Sequence, residues 1–173
     1  MDPELIKAAI LDFLRENRGW APFVVGALAF GESVAVLSLF TPATFILVGI
    51  GVLIGTLGLE FWPIWLGASV GAVLGDCVSF EIGRHFQTAA YRLWPLSTHP
   101  RLIARGESFF ARYGTWGLFV GRFFGPVRAV VPLVAGIFRM PLVLFLTVSL
   151  ASAFVWAFVL LAPGAGLSLY LGG

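Results

Sequence analysis

Apolar residues run through long stretches of this chain, and charged residues gather in short clusters between them. From Gly19 to Gly83 there is no lysine or arginine, and from Met140 to Gly173 there is no charged residue at all. Roughly 20 helical residues cross a hydrocarbon core about 30 Å thick, so runs of this length predict several membrane crossings. Residues 61–83 read as a plain crossing helix. Its Gly67, Gly71, Gly75, Ser79 and Gly83 recur every fourth position, a small-residue face on which a second helix packs closely. Residues 141–161 form another crossing, about 31 Å long at 1.5 Å per residue.

The other apolar stretches are interrupted. Residues 20–59 contain Glu32, Pro42 and six glycines, and make either two crossings or one broken, re-entrant hairpin. Residues 113–139 carry Arg122, Pro126, Arg128, Pro132 and Gly136 and are broken in the same way. Irregular backbone at membrane depth is tolerated only where protein or water buries it. Residues 4–17 form an amphipathic helix, with Ile6, Ala9, Ile10, Phe13 and Leu14 on one stripe. That stripe lies in the membrane interface or packs on the rest of the protein. Residues 84–112 leave the membrane with five arginines and one acid, Glu107, and their second half is a further interfacial helix. Under the positive-inside rule this basic segment is cytoplasmic and the uncharged C-terminus lies on the other side.

The predicted fold is therefore an all-α polytopic membrane protein: two re-entrant broken-helix hairpins facing each other, plus crossing helices and interfacial amphipathic helices. Residues 1–19 form the N-terminal amphipathic part, 20–161 the membrane domain, and 162–173 a short apolar tail. Each broken segment precedes one intact crossing, and Phe119-Val120-Gly121 after Tyr113-Gly114 echoes Phe23-Val24-Val25-Gly26 after Arg18-Gly19. If both broken segments are hairpins, helices 61–83 and 141–161 run antiparallel, the geometry of an inverted repeat.

Composition agrees with this picture and removes several alternatives. Of 173 residues 59% are hydrophobic and 12% charged, with mean hydropathy +0.95; a soluble domain carries about 25% charge. A net charge of +2, with no arginine stripe, gives no footprint for nucleic acid. The single cysteine, Cys77, excludes an internal disulfide and a cysteine metal cluster, and His85 and His99 lack ligand spacing. No cofactor or metal is expected. Residues 1–18 mix acids and bases ahead of any apolar run, so no signal peptide is expected.

Four ionisable residues fall at membrane depth: Glu32, Asp76, Arg122 and Arg128. A charge at the bilayer centre costs roughly 2.5–3.5 kcal/mol even on lenient scales, so each requires a partner or a wet cavity. Two acids and two arginines balance. They either lock the bundle as buried ion pairs or form a working site, and the glycine-rich, broken backbone around them favours the site. Glu81 with Arg84 or His85 reads as an interfacial pair at the end of its helix.

These elements, in this order, resemble the DedA family, also called VTT-domain or SNARE-associated membrane proteins. The matching pieces are Glu32 ahead of Thr41-Pro42, the run Gly71 to Gly75-Asp76 and on to Gly83-Arg84, and Phe109-Phe110 with Tyr113-Gly114. They continue with Gly121-Arg122 through Gly125-Pro126-Val127-Arg128, then Pro132 to Ala135-Gly136 and Met140. The resemblance covers about residues 20–161. It implies two facing re-entrant hairpins and lipid transport across the bilayer, with bacterial members linked to undecaprenyl phosphate recycling and proton-dependent membrane homeostasis. The family's functional acids and arginines fall on Glu32, Arg122 and Arg128, with Asp76 and Arg84 in the helix motif. Many members place an acid after Pro-Gly in the first hairpin; here the sequence is Pro42-Ala43-Thr44, so that acid is absent. Phe80 stands where tyrosine is usual.

The expected function is a flippase in the cell (inner) membrane that moves an anionic lipid, foremost undecaprenyl or another polyprenyl phosphate. Arg122 and Arg128 would hold the phosphate, because guanidinium forks match its oxygens. Glu32, with Asp76, would carry a proton or compete with the phosphate for the arginines, with Arg84 and Thr44 in supporting places. Rival readings are an energy-independent scramblase and a structural protein without a substrate. A lipid phosphatase lacks a nucleophile beside a base, so no enzyme activity is expected. The partners are the membrane and a lipid with a phosphate head group, and self-association into a homo-oligomer is left open.

Overall fold

The computed structural model describes residues 16–34, 43–56, 58–86, 100–123 and 127–171, and among them every regular element is helical. A short 3-10 turn, Arg18–Trp20, leads into α1 (Ala21–Ser33), followed by α2 (Ala43–Thr56) and α3 (Phe61–His85). Then come α4 (Pro100–Gly121), α5 (Val127–Ile137) and α6 (Leu142–Leu171). Two of these, α3 and α6, are long and apolar enough to cross a bilayer. At 1.5 Å per residue, the 13, 14 and 11 residues of α1, α2 and α5 give only about 20, 21 and 17 Å.

Local chemistry sets the helix ends. Pro22 opens the first turn of α1, where its missing N–H is no loss. Beyond α2, Gly58 takes φ +63 and the Leu59 N–H donates to the Ile54 carbonyl at 2.9 Å, closing the helix with a Schellman turn. Arg84 and His85 occupy the last turn of α3, where positive charge complements the exposed carbonyls. A second Schellman turn ends α5: Arg139 N–H donates to Gly136 and Met140 N–H to Ala135, at 3.1 and 3.0 Å. Its left-handed residue is Arg139, at φ 53. That conformation normally falls to glycine, because a Cβ there costs roughly 1–2 kcal/mol.

Glycines govern the packing. The Pro22, Gly26 and Phe30 backbone lies against Gly67, Gly71 and Gly75 in turn, so α1 runs parallel to α3 at a constant offset. A Cβ on Gly71 would strike the Gly26 carbonyl. Farther along α3, Gly83 lies against Leu133 and Ile137 of α5, and Gly136 against Phe80 and Arg84. The small-residue face thus serves two partners in succession. Helix α6 packs antiparallel to α3, as Phe61 meets Phe158, Trp65 meets Phe154, and Phe80 stacks on Phe145 with centroids 4.2 Å apart. The Trp65 indole N–H also donates to the Phe154 carbonyl at 3.0 Å. Antiparallel crossings are what the alternation of broken and intact segments predicts.

The short helices occupy opposite ends of this pair. The start of α1, the end of α2 and the start of α3 border one cavity of about 420 Å³, whose lining includes Arg18, Pro22, Gly58 and Pro63. At the other end, Leu118 of α4, Ala135 of α5 and Met140 pack with Phe80, Phe145 and Val148. Two boundaries differ from the sequence reading. Helix α4 runs unbroken from Pro100 to Gly121, joining the basic segment to the apolar one without a stop at residue 112. Helix α6 continues through Pro163 to Leu171, where a tail after residue 161 was expected. Proline is tolerated in such helices, and Gly164 lets α6 rest on the α2 backbone at Gly51 and Val52. The amphipathic helix expected at 4–17, the Thr41-Pro42 and Gly125-Pro126 breaks and residues 87–99 lie outside the described residues, apart from Glu16 and Asn17.

Candidate functional site

The four ionisable residues at membrane depth meet as two ion pairs. Glu32 and Ser33 end α1 at the depth where Ser33 packs on Gly75, and the Ser79 hydroxyl donates to the Ser33 carbonyl at 3.0 Å. Arg128 reaches them from the first turn of α5: its Nη1 lies 3.0 Å from Glu32 Oε1, and its Nη2 donates to Ser33 Oγ at 2.8 Å. The guanidinium sits over the Trp156 ring, 3.7 Å from its centroid, so an α6 aromatic face covers it. Pro132, one turn on, lacks the N–H that would meet the Arg128 carbonyl.

Arg122, just past the end of α4, forms the second pair. Its Nη2 contacts Asp76 Oδ2 on α3 and donates to Ser149 Oγ on α6 at 3.3 Å. The Ser149 hydroxyl donates in turn to the same Asp76 oxygen at 2.6 Å. Each arginine therefore has one carboxylate and one serine hydroxyl, both from α1 for Arg128, and from α3 and α6 for Arg122. All four charged side chains are more than nine-tenths buried. Several of their polar atoms still lack a hydrogen-bond partner among the described residues: Arg122 Nη1, Arg128 Nε and Asp76 Oδ1. A buried donor left without a partner costs about 1–3 kcal/mol, more when charged, so the cluster retains capacity to bind an anion.

Of the residues singled out in the sequence, Glu32, Asp76, Arg122 and Arg128 come together in this way. Arg84 does not join them: it lies at the exposed end of α3, 3.8 Å from Glu81, the helix-end pair that their spacing suggests. Thr44 falls in the first turn of α2, with its side chain outside the described residues. Phe80 is wholly buried against Phe145, a place that asks for no hydroxyl. Sequence reasoning passed over Ser33, Ser149 and Trp156. The available signal was a hydroxyl on an otherwise apolar, charge-free helix, and an indole seven residues further along the same face.

Two bilayer-crossing helices, shorter helices packed on them and a buried charged centre define a multi-pass α-helical protein of the cell membrane. The chain belongs to the VTT-domain, or DedA, family, whose domain matches residues 41–166. It is 31% identical over 159 residues to the inner membrane protein YabI of Escherichia coli, covering 92% of this chain and 63% of YabI. A membrane protein of Mycobacterium bovis, Mb2670, is 34% identical over 140 residues, or 78% of this chain and 63% of that protein. The E. coli inner membrane protein YohD is 28% identical over 163 residues, covering 94% of this chain and 75% of YohD. The chain spans about three fifths of the length of the first of these curated relatives. No solved structure matches it.

Proposed function

We propose that the protein moves an anionic lipid with a phosphate head group, foremost a polyprenyl phosphate such as undecaprenyl phosphate, between leaflets, with proton coupling. One observation carries this reading: two arginines buried at membrane depth, each held by an exchangeable carboxylate and each with unused donor capacity. A phosphate drawn into the hydrocarbon core meets a large desolvation penalty unless fixed positive charge receives it. Arg122 and Arg128 supply that charge, and their guanidinium forks suit phosphate oxygens. When phosphate takes an arginine from Glu32 or Asp76, the released carboxylate accepts a proton, since a lone buried anion is far costlier than a neutral acid. The centre stays near neutrality throughout, and each lipid is thereby linked to a proton.

The arrangement of the short helices supports two re-entrant hairpins related as an inverted repeat. Helices α1 and α2 begin and end beside the start of α3, at the cavity they share. Helix α4 ends one residue before Arg122, which pairs with Asp76 in the middle of α3, and α5 leads to the end where α6 begins. The end of α1, at Ser33, meets Arg128 at one ion pair, while Arg122 meets Asp76 at the other. A six-residue spacing on one continuous helix would set the two arginines about 120° apart, whereas here both side chains are buried on carboxylates.

A second reading has an observation of its own. The pairs tie α1 to α5 and α3 to α4 and α6, so they also serve as struts in a protein that maintains the membrane without a transported substrate. Liposome transport separates the readings. Wild type should move polyprenyl phosphate faster than neutral polyprenol, and Arg122→Lys and Arg128→Lys should each shrink that preference, because a point charge loses the bidentate geometry. A proton gradient should drive net transport. Movement independent of a gradient would identify a scramblase, and the absence of lipid movement would leave the struts.

A further inference from the structure

Two cavities beside α1 and α3 adjoin, one charged and one apolar. The cavity of about 420 Å³ at the start of α1 is lined by a charge of each sign, Arg18 and Glu60. A groove of about 540 Å³ shares its Pro22 and Pro63 lining and continues between α1 and α3, past Phe23, Ala27 and Leu66 to Leu74. We propose that the two together seat one resident phospholipid with a primary-ammonium head group: phosphate on Arg18, ammonium on Glu60 and one acyl chain in the groove. Glu32, Asp76, Arg122 and Arg128 line neither cavity, so the site is distinct from the buried pairs and does not depend on their role in transport.

Depth, charge and shape converge on this occupant. From Pro63 to Leu74 the groove follows α3 for about 16 Å, close to half of a hydrocarbon core about 30 Å thick. Exposed Trp20 and Trp62 stand at its charged end, at the level where indole rings collect. The charges therefore lie in the head-group layer, and the groove lies within a single leaflet. Among the described residues no ion pair joins Arg18 to Glu60, so a zwitterion that bridges them displaces no contact. A soluble anion would leave the apolar groove empty, and an apolar helix of a second copy would leave the two charges unused. An anionic head group would meet Glu60 with like charge. A primary ammonium brings three N–H donors to that carboxylate, whereas a methylated choline brings none.

The test is native mass spectrometry of the full chain, delipidated in detergent, with dimyristoyl phosphatidylethanolamine or dimyristoyl phosphatidylcholine added. Both lipids carry the same phosphate and the same chains, so the core arginines meet the same group in each, and a preference between them reads the ammonium. One lipid per chain should bind, the ethanolamine lipid about fivefold tighter, near the most that an exposed charge contact supplies. Glu60→Gln should abolish that preference and leave the choline lipid bound as before, while Arg18→Gln should weaken both lipids alike. Ala27→Trp, which fills the groove from an exposed position, should expel both with the head charges in place. Arg122→Lys should keep the preference. Its loss in that variant, or its persistence in Glu60→Gln, would place the lipid on the core and overturn the assignment. Equal binding of the two lipids by wild type would overturn it as well. So would a dimer that lipid does not dissociate and Ala27→Trp breaks, which would give the groove to a second copy.

Discussion

Arg128 is gripped from three directions, by the Glu32 carboxylate, the Ser33 hydroxyl and the Trp156 ring, and each grip comes with a different liability. Removing one partner of a buried pair strands the other charge and costs about 3–5 kcal/mol, whereas an apolar pair of similar volume is often neutral. Arg128→Met alone should therefore destabilise the fold by about that amount, and adding Glu32→Leu should restore most of it. Unfolding of each variant in mixed micelles measures the difference. If the pair is only a strut, the double variant keeps its cellular role; if the pair is the phosphate site, the double variant folds and transports nothing. The four charged residues were legible in the sequence because charge at membrane depth is expensive enough to demand a reason. The partners of each arginine were not. A serine hydroxyl costs little in an apolar helix, so Ser33 and Ser149 gave no alarm, and Trp156 read as one more apolar residue.

At the scale of elements, the glycine periodicity of α3 foretold close packing but not what would pack there. Gly67, Gly71 and Gly75 receive α1, and Gly83 receives α5, a division that depends on how the chain doubles back between them. Other glycines receive no neighbour, and a Cβ on Gly31 would meet nothing within 4 Å. Gly71→Ala should cost about 1–3 kcal/mol through forced separation of α1 and α3. Gly31→Ala should be neutral or stabilising by up to about 1 kcal/mol, as expected for alanine in a helix. Thermal unfolding of the two variants in one detergent checks the contrast, and equal effects would mean that α1 does not lie on the α3 seam. Pattern also placed the α3 crossing and the start of the α6 crossing within two residues. It ended α6 at residue 161, a bilayer's length from its start, whereas the helix runs on through Pro163 to Leu171.

For the whole molecule, orientation follows from charge and antiparallel packing together. Arg84 shares a cavity with Leu142, so the end of α3 and the start of α6 lie on one side, while Phe61 and Phe158 lie together toward the other. Exposed Trp62 marks that second end as a membrane surface, where indole rings collect. Arg84 opens the basic stretch 84–112 of the sequence, so the positive-inside rule predicts that this first end faces the cytoplasm. Exposed single cysteines at the two ends of α3 read this directly, on a Cys77→Ser background that removes the half-buried native thiol. In intact cells, an impermeant maleimide should label Glu60→Cys and spare His85→Cys; opening the cells should make His85→Cys reactive. Labelling of His85→Cys alone in intact cells would invert the orientation, with the arginine cavity then facing outward. Labelling of both before opening would mean that α3 does not cross the bilayer, and a 25-residue helix carrying a buried Asp76 would then need another explanation.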